Sequence, residues 1–242
     1  MHVLSFTGNL DYHHSPTAHI PMDKRTFKDK IYYHLSQMIK AIANPHRLEI
    51  LELLAQGKFS VENVASQTGL SVANASQHLQ VMKRVQLVDS KKEGVTVYYF
   101  LSDDNVYKAW KALRELGMDK VAEIDRLLQD FRNENQSTEA LTCSELHQKM
   151  QNENLRIIDV RPEPEYRHGH IANAESMPID QFKVRLRELS KDQEIVVYCR
   201  GPFCVFADQA VGFLKEQGFP AKRLEEGFPE WELEGLPVDN DE

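Results

Sequence analysis

IVVYCRGPFCV, residues 195–205, decides the fold of the C-terminal half of this chain. The run before Cys199 is apolar and rich in β-branched residues, which predicts a buried strand of a parallel sheet. The residues that follow, VFADQAVGFLKEQG, have helical periodicity and end on Gly218. Cys199 therefore lies at the carboxyl end of a strand, where α/β sheets bind ligands, and the N-terminus of the helix points amide donors at the loop.

Two interpretations of Cys199 follow from these residues. In the first, Cys199 is a small packing residue, since free cysteine is among the most buried residue types. In the second, Cys199 is a reactive thiolate, because Gly201 and Pro202 favour a tight turn and Arg200 supplies the positive charge that stabilises a thiolate. We favour the second interpretation.

This loop resembles that of the rhodanese family of sulfurtransferases, whose catalytic cysteine opens a short loop after a central strand. The motifs that extend the resemblance are DVR (159–161), EYRHGHIANA (165–174) and RLEEGFPEWELEGLPV (223–238). Over about residues 141–238 the resemblance implies an α/β domain with a central parallel sheet, in which Cys199 carries sulfane sulfur as a persulfide. Asp159 and Arg161 are then ion-paired supports. The remaining loop residues surround the sulfur, and they are Gly201, Pro202, Phe203 and Val205.

The last position of the loop departs from the family, because Cys204 stands where active sulfurtransferases commonly carry an arginine. Arg200 is then the only cation of the loop, which predicts inefficient turnover of thiosulfate. Two thiols around one loop are typical of an attacking and a resolving cysteine, although a small apolar residue at a helix N-terminus explains Cys204 equally well. The resemblance implies a sulfane-sulfur donor, either thiosulfate or polysulfide, and a thiol acceptor, with no cofactor and no metal.

Charge is unevenly distributed along the 242 residues, whose formal net charge is −8. Residues 1–135 carry 17 Lys and Arg against 16 Asp and Glu, whereas residues 136–242 carry 12 against 21. Within residues 24–102 the excess is basic, 11 against 6, which suits contact with a polyanion. A solvated surface has the same composition, so charge alone leaves both interpretations open.

Cysteine usage and hydropathy indicate the compartment. The 3 cysteines all follow residue 140, and they are too few for a disulfide framework, which suits a reducing compartment. No apolar run reaches the roughly 18 residues of a membrane span, and the first residues lack the pattern of a signal peptide. We therefore expect a cytoplasmic protein with no membrane partner.

A helix, a glycine-containing turn and a second helix are predicted between residues 60 and 84, where Ser60 and Ser71 head the helices and Gly69 ends the first. The apolar positions of the second helix are Val72, Ala75, Leu79 and Met82. The residues expected at DNA are Ser71, Asn74, Ser76, Gln77 and Gln80 on this helix, and Lys83, Arg84, Lys91 and Lys92 near phosphates. An amphipathic surface helix is the alternative, but such helices usually expose acidic residues, which are missing here.

The segment from about Phe27 to Leu128 resembles the ArsR family of winged-helix repressors. The motifs that carry the resemblance are ANPHRLEILELL (43–54), LSVANASQHLQVMKRVQLV (70–88) and EGVTVYYFLS (93–102). The resemblance implies binding of double-stranded operator DNA by a homodimer, whose interface includes the first helix and a long helix at 105–131, interrupted near Gly117. Residues 1–142 contain no cysteine, so the cysteine pair of the metal-sensing members is missing. Any signal is expected to come from elsewhere in the chain.

These patterns predict a flexible leader (1–23), a mainly-α winged helix-turn-helix domain (24–131), a polar linker (132–140) and a rhodanese-like domain (141–242). We predict a DNA-binding transcriptional regulator, a repressor, whose rhodanese-like domain carries sulfur on Cys199 and senses reactive sulfur. Two alternatives stay open. One is a repressor whose rhodanese-like domain is catalytically idle and serves for binding; the other is a sulfurtransferase that uses the helical domain only to dimerise.

Overall fold

The computed structural model describes residues 23–152 and 154–241. The predicted leader, residues 1–23, lies outside the described residues except for its last position. Among the described helices, none is both long enough and apolar enough to cross a membrane.

The N-terminal half is mainly helical and carries a small antiparallel sheet with strand order β1-β3-β2. Its elements are α1 (Lys24–Ile42), α2 (Pro45–Leu54), β1 (Phe59–Ser60), α3 (Val61–Thr68), α4 (Val72–Arg84), β2 (Val88–Glu93), β3 (Thr96–Leu101), α5 (Asp104–Lys120) and α6 (Ala122–Glu134). Helices α3 and α4 form the helix-turn-helix, and the β2–β3 hairpin is the wing. The predicted winged helix-turn-helix is confirmed.

Local sequence explains where the two central helices begin and end. The hydroxyl oxygens of Ser60 and Ser71 accept hydrogen bonds from the amides three residues later and cap α3 and α4. Gly69 ends α3 in the left-handed conformation, with φ at 67°, which glycine adopts without steric cost. The capping residues therefore fix the turn between the two helices.

Two details of this half differ from the predictions. Val72 was expected on the core side of α4 but is 47% exposed, because it stands at the first position of the helix, while the core contacts begin at Ala75. The helix predicted at 105–131 consists of α5 and α6, separated by the extended backbone of Val121. Gly117, near which the sequence predicts the interruption, remains helical.

The C-terminal half is an α/β domain around a five-stranded parallel sheet with order β4-β9-β8-β5-β7. Its elements are β4 (Ala140–Leu141), α7 (Cys143–Asn152), β5 (Leu155–Asp159), α8 (Glu163–His168), β6 (His170–Ile171), β7 (Glu175–Ser176), α9 (Phe182–Arg185), β8 (Glu194–Tyr198), α10 (Val205–Glu216), β9 (Ala221–Leu224), α11 (Phe228–Leu233) and β10 (Val238–Asp239). The predicted fold with a central parallel sheet is confirmed.

Strand β8 lies in the middle of this sheet and is buried on both faces. Ile195 and Val197 pack into one apolar core, whereas Val196 and Tyr198 pack into the other. Successive side chains of a strand point to opposite faces, so a short run of apolar residues fills both layers. The strand therefore delivers Cys199 to the edge of the sheet from a fixed position.

The segment predicted as a linker, residues 132–140, is packed against the C-terminal domain. Its first residues belong to α6, and the buried hydroxyl of Ser137 donates a hydrogen bond to Asp208 Oδ1 at 2.6 Å. The backbone of Asn135 lies so close to Gly212 that a Cβ there would stand 2.5 Å from its carbonyl oxygen. Polar composition suggested a loose connection, but these polar groups are satisfied by tertiary contacts.

Candidate functional site

The loop between β8 and α10 joins the two predicted cysteines. Cys199 follows the strand and is 2% exposed, whereas Cys204 occupies the N-cap position of α10 and is partly exposed. Their Sγ atoms are bonded in a disulfide, and their Cα atoms lie 6.2 Å apart. Because both sulfurs share one loop, the site is a dithiol–disulfide pair within five residues of chain.

The loop backbone supplies fewer amide donors than its length suggests. Pro202 has no N–H, and the amide of Cys204 donates to the carbonyl oxygen of Gly201 at 3.0 Å. The amides of Arg200, Gly201, Phe203 and Val205 remain as candidates to stabilise a bound sulfur anion. The loop is therefore held in a tight turn by its own backbone.

Gly227 packs directly against the backbone of the loop at Arg200 and Gly201. Sequence reasoning did not identify this role. A Cβ at this position would lie 2.3 Å from the carbonyl carbon of Arg200 and 2.4 Å from the amide of Gly201. The amide of the next residue, Phe228, donates to the carbonyl oxygen of Cys199 at 3.2 Å. Any side chain at position 227 would displace the loop, and the RLEEGFP motif is the sequence signal that pointed to this region.

Asp159 and Arg161 lie fully buried beside the loop and form an ion pair. Arg161 Nη2 donates to Asp159 Oδ2 at 2.6 Å and to the carbonyl oxygen of Gly169 at 2.7 Å. Arg161 Nη1 donates to Oε1 of Gln56, a residue of the N-terminal domain, at 3.0 Å. The pair thus fixes the edge of the sheet and touches the other domain.

Arg200 does not have the environment that the sequence predicts. Its guanidinium donates through Nε and Nη2 to both carboxylate oxygens of Glu165, at 3.0 and 2.6 Å, and Nη2 also donates to Gln67 Oε1 at 2.6 Å. The charge of Arg200 is therefore neutralised by Glu165, with which it forms a two-pronged ion pair. The expected electropositive setting for Cys199 does not come from this side chain.

Three side chains of the N-terminal domain contact the loop directly. Gln56 Nε2 donates to the carbonyl oxygen of Arg200 at 3.2 Å, and Gln67 accepts from the guanidinium of the same residue. From α6, Arg132 Nη2 donates to the carbonyl oxygen of Pro202 at 3.2 Å. No sequence pattern predicts these contacts, because each joins residues that are distant along the chain.

A buried ion pair lies next to these contacts. Arg114 of α5 and Glu230 of α11 are hydrogen-bonded, and their side chains are 2% and 0% exposed. Glu52 Oε1 lies 3.9 Å from Arg114 Nη1 and has no hydrogen-bond partner among the described residues. Burial raises the pKa of Glu52. The positive charge of Arg114 lowers this pKa, but by less than burial raises it. The two domains are therefore joined by buried charges.

A cavity of about 190 Å³ lies between the loop and the helices α2 and α3. Its lining consists of Glu49, Glu52, Leu53, Gln67, Thr68, Arg200, Phe203, Cys204, Val205 and Phe206. Cys204, which is partly exposed, lines this cavity and therefore lies on the side of the loop that faces the winged-helix domain.

The third cysteine lies away from this site. Cys143 begins α7, where Thr142 and Glu145 form the predicted capping box. Burial raises the pKa of the Cys143 thiol, and the carboxylate of Glu226 raises it further. A thiol that stays protonated is a poor nucleophile, so Cys143 is a weaker candidate for sulfur chemistry than Cys199 or Cys204.

The residues predicted at DNA fall into two groups. Seven of the nine are exposed, namely Ser71, Asn74, Gln77, Gln80, Arg84, Lys91 and Lys92, whereas Ser76 and Lys83 are half-buried. Four of the nine have partners within the domain: Ser71 caps α4, Gln80 Nε2 donates to the Tyr99 hydroxyl at 3.1 Å, Lys83 contacts Ser90 and Asp89 on the wing, and Lys91 Nζ lies 3.5 Å from Glu93 Oε1. The exposed group is therefore the part of the predicted surface that is oriented outward.

Comparison with known proteins assigns each half of the chain to a known type of domain. A helix-turn-helix domain model matches residues 42–91, and the Rhodanese-like domain model matches residues 142–234. The HTH-type transcriptional regulator Rv0324 of Mycobacterium tuberculosis is 38% identical over 200 residues, which cover 83% of this chain and 88% of that protein. A protein described as a sulfurtransferase of Allochromatium vinosum is 31% identical over 87 residues, covering 36% of this chain and 79% of that protein.

Among solved structures, a homodimeric winged helix-turn-helix DNA-binding domain of Mycobacterium bovis, Mb0332, is 32% identical and covers 42% of this chain and 92% of its own, with a TM-score of 0.39. The two domains and their order define a transcriptional regulator with a helix-turn-helix and a rhodanese-like domain. The chain belongs to the family of HTH-type transcriptional regulators and carries a C-terminal rhodanese-like domain. The family resemblances drawn from the sequence are confirmed.

Proposed function

We propose that this regulator is a repressor that binds double-stranded operator DNA as a homodimer and senses reactive sulfur through Cys199 and Cys204. A location in the cytoplasm, where a DNA-binding regulator meets its operator, belongs to the same proposal. The relative named an HTH-type transcriptional regulator supports the DNA-binding part. The disulfide loop supports the sulfur part.

Exposed apolar side chains support a dimer. On α5 and α6 and between them, Leu113, Leu116, Val121 and Leu127 are 43–58% exposed. On α1, Ile31, Leu35, Met38 and Ile39 are 42–63% exposed. Large apolar residues that recur along a helix surface are typical of an interaction face, and a second copy of the chain is the partner that we propose.

The DNA contacts predict separable effects. Replacing Lys91 and Lys92 together by alanine should weaken binding to all DNA sequences and lower the slope of log affinity against log salt by up to about 2. Gln77→Ala should chiefly relax base preference, because Gln77 is exposed on α4. Affinities for a specific and a scrambled duplex, measured at several salt concentrations, distinguish the two; Lys191→Ala in the rhodanese-like domain is the charge control. Equal losses on both duplexes for Gln77→Ala would contradict the assignment of α4 as the recognition helix.

The sulfur chemistry needs only the two thiols and a donor. The Cys199 thiolate attacks a terminal sulfur of polysulfide, forming Cys199–S–SH and releasing a polysulfide shortened by one sulfur. The Cys204 thiolate then attacks Cys199 Sγ, forming the disulfide and expelling hydrosulfide. Overall, one sulfane sulfur is reduced to sulfide and two thiols are oxidised. Thiosulfate is a second possible donor, with sulfite as the leaving group, and a thiol is the acceptor that returns the loop to the dithiol.

The contact between Gln56 and the loop backbone is the observation that carries the sensing proposal. Gln56 is 2% exposed and follows α2, and its amide nitrogen holds the Arg200 carbonyl at 3.2 Å. A disulfide bond between Cys199 and Cys204 restricts the conformation of the backbone between them. Conversion between the dithiol and the disulfide therefore changes the position of the Arg200 carbonyl, to which Gln56 donates its hydrogen bond. A change at the loop thereby acts on the helix that precedes the helix-turn-helix. An idle rhodanese-like domain would have no need of two thiols at this contact.

The corresponding test compares the operator affinity of the dithiol and the disulfide forms of the same protein. Different affinities support sensing. Identical affinities, with persulfide formation intact, would leave a DNA-binding domain and a sulfur carrier that act independently.

A further inference from the structure

A cluster of metal-binding side chains lies in the rhodanese-like domain, on elements other than the disulfide loop. It consists of Cys143, the first residue of α7, and two carboxylates, Glu226 and Glu234. The Sγ atom of Cys143 and one carboxylate oxygen from each glutamate all lie within 4.8 Å of one another. Glu226 follows β9, and Glu234 is the C-cap of α11, so three separate segments of the chain bring these ligand atoms together.

The Cys143 thiol is the buried member of the cluster. The residue is 1% exposed, forms no disulfide and belongs to the same apolar core as Leu146. A cysteine that only fills space needs apolar neighbours, since it behaves as a small hydrophobe. Here the sulfur also faces two carboxylates. Placing carboxylates beside a buried group is costly unless a positive charge compensates them.

No side chain supplies that positive charge within residues 23–152 and 154–241, because neither Glu226 nor Glu234 forms an ion pair with a lysine or arginine there. The lysines and arginines of the neighbouring α7 and β9 are paired elsewhere, as Lys149–Glu194, Lys222–Glu194 and Arg223–Asp208. Glu226 Oε2 accepts a hydrogen bond from the Cys143 amide at 3.0 Å, which uses one of its two oxygens. A bound cation would therefore balance the charge of this cluster.

From the buried thiol, the two converging carboxylates and the missing counter-charge, we propose that Cys143, Glu226 and Glu234 bind a zinc ion. Zn²⁺ accepts sulfur and oxygen ligands together, whereas Mg²⁺ and Ca²⁺ take oxygen ligands. Ligand atoms bound at about 2.0–2.3 Å to one zinc ion lie roughly 3.5 Å apart, so a small rotation of the exposed Glu234 side chain completes the set. Water from the exposed side fills the fourth position.

Binding exchanges a proton for the metal and involves no change of oxidation state. The S–H bond of Cys143 breaks, the proton goes to water, and the sulfur bonds to Zn²⁺, whose charge favours the thiolate. The ion then joins the start of α7 to the segment that leads into Gly227, the residue that packs against the disulfide loop. This site is independent of the sulfur chemistry proposed for Cys199 and Cys204.

The first test uses Co²⁺ as a spectroscopic probe on the full-length protein in its disulfide form. Cys143 is then the free thiol among the 3 cysteines, which a thiol titration of the denatured protein verifies. We expect a sulfur-to-cobalt charge-transfer band that saturates at one ion per chain and disappears on addition of zinc. Histidines elsewhere in the chain do not produce this band. Its absence from cobalt-saturated protein would overturn the proposal.

Variants assign the band to the cluster. Cys143→Ser should abolish the band, and Glu226→Gln and Glu234→Gln should each weaken cobalt and zinc binding by at least about tenfold, the loss that even outer-shell partners of a metal cause. Glutamine at position 226 keeps an acceptor for the Cys143 amide, and Glu234 is exposed, so these variants remain informative if Cys143→Ser fails to fold. Glu232→Gln, on α11 but outside the cluster, is the matched control and should bind as the unmodified protein does.

Thermal unfolding gives a second measurement. Zinc should raise the Tm of the unmodified disulfide form and of Glu232→Gln, and it should raise that of Glu234→Gln less, because a ligand that binds the folded state stabilises it in proportion to its affinity. Equal metal affinities for the unmodified, Glu226→Gln and Glu234→Gln proteins would show that the cluster is not the site. A charge-transfer band that survives in Cys143→Ser would do the same.

Discussion

Glu230→Ala should lower the free energy of unfolding by about 3–5 kcal/mol, because it leaves the guanidinium of Arg114 buried without its partner. The Arg114 side chain is 2% exposed, and the nearest other carboxylate, Glu52, lies 3.9 Å away. Glu230 also accepts a hydrogen bond from the amide of Gly227 at 3.0 Å, the residue on which the loop rests. The loss therefore affects both the contact between the domains and the support of the loop.

Urea unfolding, followed by fluorescence and by circular dichroism, measures this effect. Arg114→Met combined with Glu230→Met is the matched control, since replacing both partners with apolar side chains leaves no buried charge and should cost much less than the single change. A loss below about 1 kcal/mol for Glu230→Ala would mean that the pair behaves as an exposed one. Equal losses for the single and the double variant would also contradict the prediction.

Cys199→Ser should abolish persulfide formation and any thiosulfate:cyanide sulfurtransferase activity. A serine hydroxyl does not form a persulfide, and the remaining thiols lack the position of Cys199 at the end of β8. Cys143→Ser is the matched control, because this thiol is buried and its pKa is raised. We expect that control to retain both properties.

Mass spectrometry after exposure to polysulfide, together with a cyanide assay, tests this prediction. The Cys204→Ser protein, which cannot convert the persulfide to a disulfide, should gain sulfur on the peptide that ends at Arg200, and the Cys199→Ser protein should gain none. Sulfur on the peptide of Cys143, or activity that survives in the serine variant, would show that the carrier has been assigned to the wrong residue.

Several features of the fold follow from short stretches of sequence. The run at 195–198 predicts a buried central strand, since a strand covered on both faces has no alternation of polar residues. Ser60, Gly69 and Ser71 predict the boundaries of the two helices, because caps act through hydrogen bonds and backbone conformations within a few residues. Local physics therefore determines the elements and their order.

The surroundings of the loop could not be predicted in this way. Glu165 neutralises Arg200 across 35 residues, and Gln56 reaches the Arg200 carbonyl across 144 residues. Neither contact leaves a periodic pattern, because each depends on how two finished domains pack. Composition predicts residues 132–140 as a linker, but the same packing buries the hydroxyl of Ser137 in this segment.

The measurement that tests the account most directly is operator affinity by fluorescence anisotropy at fixed salt, for the dithiol and the disulfide form of the same protein. We predict weaker binding by the disulfide form, by about 5- to 150-fold for a coupling of about 1–3 kcal/mol, and recovery with dithiothreitol. Cys204→Ser should still take up sulfur but lose most of this response. If the two forms of the unmodified protein bind the operator with the same affinity, the loop does not regulate DNA binding, and the sensing proposal is wrong.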